Sequence, residues 1–389
     1  MLPASMRRVA ARISVVAFVI AAAGLLAANA RAFAADTSPA HENDIPSLKT
    51  TFGARFLIGA AVEPAQIADP VDAALLRRHF SSITAENVMK PRTLGTAVGI
   101  YNYGPADELV RFAVANAIRV RGHTLVWHKT APDWFFAGDR SDPLAYRALV
   151  RKRLETYITD VVTHFRRKVY AWDVVNEVAS DHEGSIYRED SPWFQALGPD
   201  YIEYAFRAAR RADPNVQLFI NEYDTEQGPK RERLLTIVRD LQRKGVPIDG
   251  VGHQLHLKFS ENAADVDAAL RDVEGLGLIN HVTELDVSVY GDPGSCTGPE
   301  RKGCLPDYGK NIPAATLAQQ AKLYGELFEV FERHASLKSV TTWGISDAHT
   351  WLKRFPVTRN NLPLLFDEQG NPKPAFRAVV RTARAADDD

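Results

Sequence analysis

Two glutamates sit where the sequence otherwise reads as buried strand. Glu177 closes the run "VYAWDVVNE" (169–177), directly after Asn176, and Glu284 lies inside "HVTELDVS" (281–288). Carboxylates and amides resist burial and avoid strand interiors, so their positions need a cause. Either these strands run out into water at that point, or they deliver polar side chains to a shared pocket.

The ends of the neighbouring apolar runs favour a pocket. "SSITAE" (81–86) ends in Glu86-Asn87, with Lys90 just beyond. "VRGHTLVW" (120–127) carries His123 and ends in Trp127-His128. "VQLFINEY" (216–223) ends in Glu222-Tyr223, and "GVGHQLHL" (250–257) carries Gln254 and His256. Asp286 follows Glu284 by two residues; "SVTTWGIS" (339–346) holds Trp343, with Asp347 and Trp351 just after it. The opposite ends of these runs carry far fewer such groups.

That inventory excludes several chemistries. The first strand lacks the His-x-His of many metal-dependent barrel hydrolases, and His253 and His256, three apart, face opposite sides of a strand. No metal or cofactor is expected. Serine hydrolysis would prefer a G-x-S-x-G turn, which is absent. Schiff-base chemistry wants a lysine within a strand end, and none is present. "SDAHTWLKRF" is not a Gly-rich phosphate loop. Paired carboxyls surrounded by amides, imidazoles and tryptophans suit glycosidic bond cleavage. One carboxyl is protonated and one ionised, with flat rings for sugar C–H faces and polar groups for hydroxyls. Trp127, Trp343 and Trp351 gain weight from their positions, whereas Trp172 and Trp193 read as core.

Positioning these groups together requires an architecture that gathers strand ends. The first strand is "FLIGAAV" (56–62), and the eight runs alternate with amphipathic helical stretches. Among these are 69–80, 142–167, 231–245, 317–335 and 373–385. Strand–helix alternation implies parallel strands joined by crossovers, and eight units imply an α/β fold of the (β/α)8 TIM-barrel type, whose C-terminal strand ends converge on one rim. "GAAVEPAQI" lacks the G-x-G-x-x-G turn of an open dinucleotide-binding sheet. No repeat or linker marks a second catalytic domain.

The chain has 389 residues, 46% apolar and 24% charged, with a formal net charge of −1. These values support a large core and give no reason to expect nucleic acid or an anionic membrane as partner. Residues 1–34 show Arg7, Arg8 and Arg12, then an apolar stretch and a small-residue "AFA" (32–34), the pattern of a secretory signal peptide. A polar leader (35–47) and a catalytic domain (48–385) follow. The expectation is an exported protein, periplasmic or extracellular, free of the membrane once the signal is removed, and monomeric. Export permits Cys296 and Cys304 to pair across a short Gly/Pro-rich loop.

Taken in order, "ENVMKP", "RGHTLVWH", "WDVVNE", "GVGHQLHL", "HVTELDVS" and "WGISDAHTW" resemble glycoside hydrolase family 10, the endo-1,4-β-xylanases. The similarity runs from about Phe52 to Phe376 and includes "PLLFDEQGNPKPAF" near the end. The resemblance implies xylan or xylo-oligosaccharide as substrate and a retaining mechanism. Glu177 would be the acid/base, held protonated by the Glu284 charge and partial burial, and Glu284 the nucleophile. Asn176 would meet the sugar 2-hydroxyl, His256 would orient Glu284, and Asp286 would brace His256. Glu86, Asn87, Lys90, His123, Trp127, Gln254, Trp343 and Trp351 would hold the non-reducing side of the cut, and Tyr223 the leaving-group side. His349 has no assigned role. Two alternatives stay open: another retaining barrel glycosidase acting on β-glucan or mannan, and a carbohydrate-binding barrel without catalysis.

Overall fold

A computed structural model of the chain describes residues 45–387. The expected signal peptide, and the leader up to 44, lie outside the described residues. Eight parallel strands close into a barrel: β1 (Leu57–Val62), β2 (Ser82–Ala85), β3 (Arg119–Gly122), β4 (Val169–Asn176), β5 (Gln217–Tyr223), β6 (Gly250–Gln254), β7 (Ile279–Ser288) and β8 (Leu337–Thr342). Each pairs with its sequence neighbour, and β1 pairs with β8 to complete the ring.

The strands are buried on both faces, as a barrel wrapped by helices requires. β4 is buried at every position but Tyr170. The outer faces pack against amphipathic helices with buried residues at helical spacing. In Pro143–His164 these are Val150, Leu154, Tyr157, Ile158, Val161 and Val162. That helix begins where Asp142 accepts hydrogen bonds from the Leu144 and Ala145 amides and Pro143 needs no amide partner. Asp69 does the same for Pro70–His79.

Inside the barrel, below the rim, Arg121 and Asp173 form a buried ion pair, and the Arg121 guanidinium lies 5.4 Å from the centre of the Phe219 ring. Gly122 is required by close approach, because a Cβ there would meet the Trp172 ring at 2.2 Å. Trp172 and Trp193 are both buried in the core.

Three strands depart from the expected runs, each near the rim. The run expected as continuous over 120–127 leaves the ladder after Gly122, where Thr124 Oγ1 and the Leu125 amide both turn to the Asp173 carbonyl. It resumes as Val126–Trp127 against Val175 and Asn176. The sixth run breaks at Leu255; its second part, His256–Lys258, stays on β7 alone and sets His256 opposite Asp286. The eighth ends at Thr342. Gly344 then takes a φ of +134°, a left-handed geometry open to glycine, and packs where a Cβ would meet Leu364 at 2.8 Å. Cys296 and Cys304 form the expected disulfide in the loop after β7.

Candidate active site

Glu177 follows the last residue of β4 and turns out of the strand with a φ of +58°. This left-handed geometry costs a non-glycine residue about 1–2 kcal/mol. Such outliers persist where surrounding bonds hold them. Here the Glu177 amide donates to the Asn221 carbonyl (2.9 Å), and Arg188 Nε donates to the Glu177 carbonyl (2.9 Å). The carboxyl is nearly buried at the rim. The strand therefore neither fades into water nor buries its glutamate without purpose.

Glu284, on β7, is also nearly buried. Its Oε1 accepts from Asn221 Nδ2 (2.8 Å), and its Oε2 lies 3.2 Å from His256 Nε2. The other imidazole nitrogen, Nδ1, faces Asp286 Oδ2 at 3.0 Å, and the same oxygen accepts from Trp351 Nε1 (2.8 Å). Burial opposes a charged imidazole, yet Asp286 and Glu284 outweigh it and push the His256 pKa up to about 10. His256 is thus an imidazolium donating to both carboxylates.

One amide joins the two glutamates. Asn221 Nδ2 donates to Glu284 and to Asn176 Oδ1 (2.9 Å), while Asn221 Oδ1 accepts from Thr283 Oγ1 (2.7 Å). Gln254 Nε2 also donates to Asn176 Oδ1 (2.9 Å). Two donors on one oxygen fix the Asn176 amide orientation, so its Nδ2 faces Glu177 Oε1 at 3.4 Å, a loose contact. Gly252 leaves room for this arrangement; a Cβ there would stand 2.3 Å from Asn221 Oδ1.

Around this centre the other expected residues fall into two groups. Lys90 Nζ donates to Asn87 Oδ1 (2.9 Å) and lies 5.0 Å from the centre of the Trp127 ring. Asn87 Nδ2 donates to Glu63 Oε1 (2.6 Å) and more loosely to Glu86 Oε1 (3.3 Å). His123 Nδ1 meets Asp173 Oδ2 at 2.9 Å, and its ring stands edge-on to Trp343 at 5.4 Å. Burial would raise the Asp173 carboxyl, but Arg121 and His123 outweigh it and hold it below the usual carboxylate range. Trp343 and Trp351 flank His256, with ring centres at 6.3 and 5.0 Å. Trp127, His123, Trp343, His256 and Trp351 thus form a continuous aromatic wall.

Tyr223 is different. Its hydroxyl donates to the Asp181 carboxylate (2.6 Å to the nearer oxygen) and accepts from Arg188 (2.7 Å), so that group is already engaged by the protein. What it can offer a ligand is its ring. His349 is largely exposed, 3.7 Å from Asp72 Oδ2.

The expectation for Glu177 itself is corrected. Burial does push its carboxyl up, but the charge and contact of Lys129 Nζ, 3.0 Å from Oε2, lead the effects that outweigh it and hold the carboxyl below the usual glutamate range. Sequence reasoning passed over Lys129, Asn221 and Glu63. Glu63 directly follows the first strand and Asn221 lies two residues inside the end of the fifth, so the rule that located the other groups reaches both. Lys129 belongs to the loop beyond Trp127-His128, where no periodic pattern speaks.

The sequence profile described as glycosyl hydrolase family 10 matches residues 47–382. A thermostable celloxylanase of Thermoclostridium stercorarium is 40% identical over 381 residues, covering 94% of this chain and 95% of that protein. An endo-1,4-β-xylanase A of Thermoanaerobacterium saccharolyticum is 41% identical over 359 residues; the chain spans only 28% of that longer protein. Among solved structures, xylanase B from Clostridium stercorarium F9 superposes with a TM-score of 0.81 at 41% identity, covering 86% of this chain and 99% of that one. A mutant structure in complex with xylotriose gives 0.79 at 36% identity, with 86% and 99% covered. A closed eight-stranded barrel with two rim glutamates, matched by one profile over nearly its whole described length, leaves no other assignment: the chain belongs to glycosyl hydrolase family 10.

Proposed function

We propose that this enzyme is an endo-1,4-β-xylanase that cleaves internal β-1,4-xylosidic bonds with retention of configuration. The observation that carries the reading is the junction of two glutamates from β4 and β7 through the Asn176–Asn221 amides. The relatives named above, covered almost end to end in several cases, support xylan as the substrate class.

In the first step Glu284 Oε attacks the anomeric carbon as the bond to the glycosidic oxygen breaks. Protonated Glu177 gives its proton to that oxygen, so the leaving sugar departs as an alcohol. In the second, the Glu177 carboxylate takes a proton from water, the water oxygen attacks the anomeric carbon, and the Glu284 ester bond breaks. His256, charged and bonded to Glu284 Oε2, orients the nucleophile. The Asn176 Nδ2, held loosely by Glu177, is the donor free to strengthen a bond to the sugar 2-hydroxyl in the transition state. Glu86, Asn87, Lys90 and the tryptophan wall serve as the platform for the glycone side, and the Tyr223 ring for the aglycone.

Residues 1–34 act in this reading as an export signal, with the mature chain beginning near residue 35; N-terminal sequencing of the protein from its host tests this. The activity is tested by initial rates on xylan, carboxymethyl-cellulose and mannan. A clear preference for xylan is expected, and equal or greater rates on either other polymer overturn the assignment.

A further inference from the structure

We propose that Lys129 holds Glu177 ionised in the free enzyme and is displaced by the leaving-group sugar, so that substrate binding is coupled to proton uptake by Glu177. The inference rests on the reading of Glu177 as acid/base. It answers a difficulty that the geometry raises: an acid that must donate a proton is found tied to an ammonium.

The groups facing Glu177 come from six directions. From the segment after β3, Lys129 Nζ stands 3.0 Å from Oε2 and His128 Nε2 stands 4.0 Å from it. Within β4, Asn176 Nδ2 touches Oε1 at 3.4 Å. From the loop after β4, Arg188 binds the backbone carbonyl. From β5, buried Glu222 acts through its charge, and from beyond β2, Lys90 does so. Across the cleft lies Glu284, joined through Asn221. Burial pushes His128 down to about 4, so that ring is neutral at ordinary pH. Burial pushes Glu222 up to about 7, weakening its repulsion below that pH. Lys129 is therefore the cation in direct contact.

Lys129 is also built to leave. Its side chain is 55% exposed, against 6% for Glu177. Its ammonium lies 5.2 Å from the centre of the Trp127 ring and 5.9 Å from that of Tyr223, so it sits between the two rings that bound sugars are to cover. The glycosidic oxygen has to approach a Glu177 oxygen within hydrogen-bond distance, and Oε2 is the one Lys129 occupies. Moving the ammonium away leaves a nearly buried carboxyl with less to oppose protonation, and its pKa rises. Lys129 is thus a positioning residue that acts through Glu177.

The test is the pH dependence of xylohexaose hydrolysis by the full enzyme and by K129M, K129Q and K129R. The alkaline limb of kcat/KM reports the acid in the free enzyme, and that of kcat the acid in the complex. The wild-type limb in kcat/KM is expected below that in kcat. In K129M and K129Q the kcat/KM limb moves up by about one pH unit, the gap between the two limbs narrows, and the acid limb stays in place. K129R, which keeps the cation, stays with the wild type. If both neutral variants keep the wild-type alkaline limb within about 0.3 of a unit, or if K129R moves as far as K129M, the proposal is overturned. Failure of the functional reading looks different: the wild type itself would release no product from xylohexaose.

Discussion

Replacing Asn221 by alanine should damage stability and turnover together. This side chain is fully buried and contributes three bonds: to Glu284 Oε1 (2.8 Å), to Asn176 Oδ1 (2.9 Å) and from Thr283 Oγ1 (2.7 Å). A bond to a charged acceptor is worth about 1.5–3 kcal/mol and a neutral one about 0.5–1.5 kcal/mol. Asn176 Oδ1 keeps Gln254 as a donor and the Thr283 hydroxyl can rotate, so the net loss is about 3 kcal/mol. With an unfolding entropy of about 2.1 cal/mol/K per residue over the described chain, that loss lowers Tm by about 4 °C. Glu284 keeps His256 but loses the donor that fixes Oε1, and about 1.4–2.7 kcal/mol of lost positioning lowers kcat 10- to 100-fold. Differential scanning calorimetry and initial rates on xylohexaose measure both quantities. Asn221→Asp separates shape from charge, since a second carboxylate beside Glu284 should move the acid limb of kcat/KM upward. A variant N221A with wild-type kcat and a Tm within about 1 °C would refute the view that this amide couples the two glutamates.

Arg121→Met leaves the buried Asp173 carboxylate with His123 but without its guanidinium, and denaturant unfolding should show a loss of about 3–5 kcal/mol; an unchanged midpoint counts against the buried pair. For His256, the folded pKa near 10 exceeds the unfolded value of about 6.5. Its stabilising contribution is therefore complete below about pH 6.5 and fades as pH rises toward about 10. The stability difference between wild type and H256N should shrink over that window in a series of urea titrations, and a constant difference contradicts the assignment of the charge. Replacing both Cys296 and Cys304 by serine should cost about 2–3 kcal/mol in thermal or denaturant unfolding. In the same variant KM for xylohexaose should rise, because Arg301 in that loop bonds the Pro356 carbonyl and lies over Phe355, which stacks on Trp351. An unchanged KM would show that Trp351 does not depend on the loop.

The barrel and much of its rim could be read from residues alone, because strand burial and helix periodicity leave strong local traces. β4 shows this: a mostly apolar run of eight residues ending in Asn176 announces both the strand and the place where it opens. The irregularities at the rim left weaker traces. Nothing in "VRGHTLVW" signals that the chain departs from its ladder after Gly122 to bond the Asp173 carbonyl, since that depends on a neighbour some fifty positions away. Asn221 was hidden for a related reason. Two residues inside a strand end, it reads as one more polar residue there, and its importance comes from facing Asn176 and Glu284, which only barrel closure brings together. The protonation of Glu177 is not legible in the sequence, where a second carboxylate and burial both speak for a proton and nothing announces the ammonium arriving from a loop.

The central claim is that Glu284 becomes covalently bonded to the sugar while Glu177 manages the proton. The most direct measurement treats the wild-type enzyme with a 2-deoxy-2-fluoro xylobioside bearing a good leaving group, which slows breakdown of a glycosyl-enzyme, and maps the adduct by peptide mass spectrometry. The account predicts one added fluoroxylobiosyl group on the peptide containing Glu284, at that residue. An adduct on a different carboxylate, or turnover without any adduct, would contradict it.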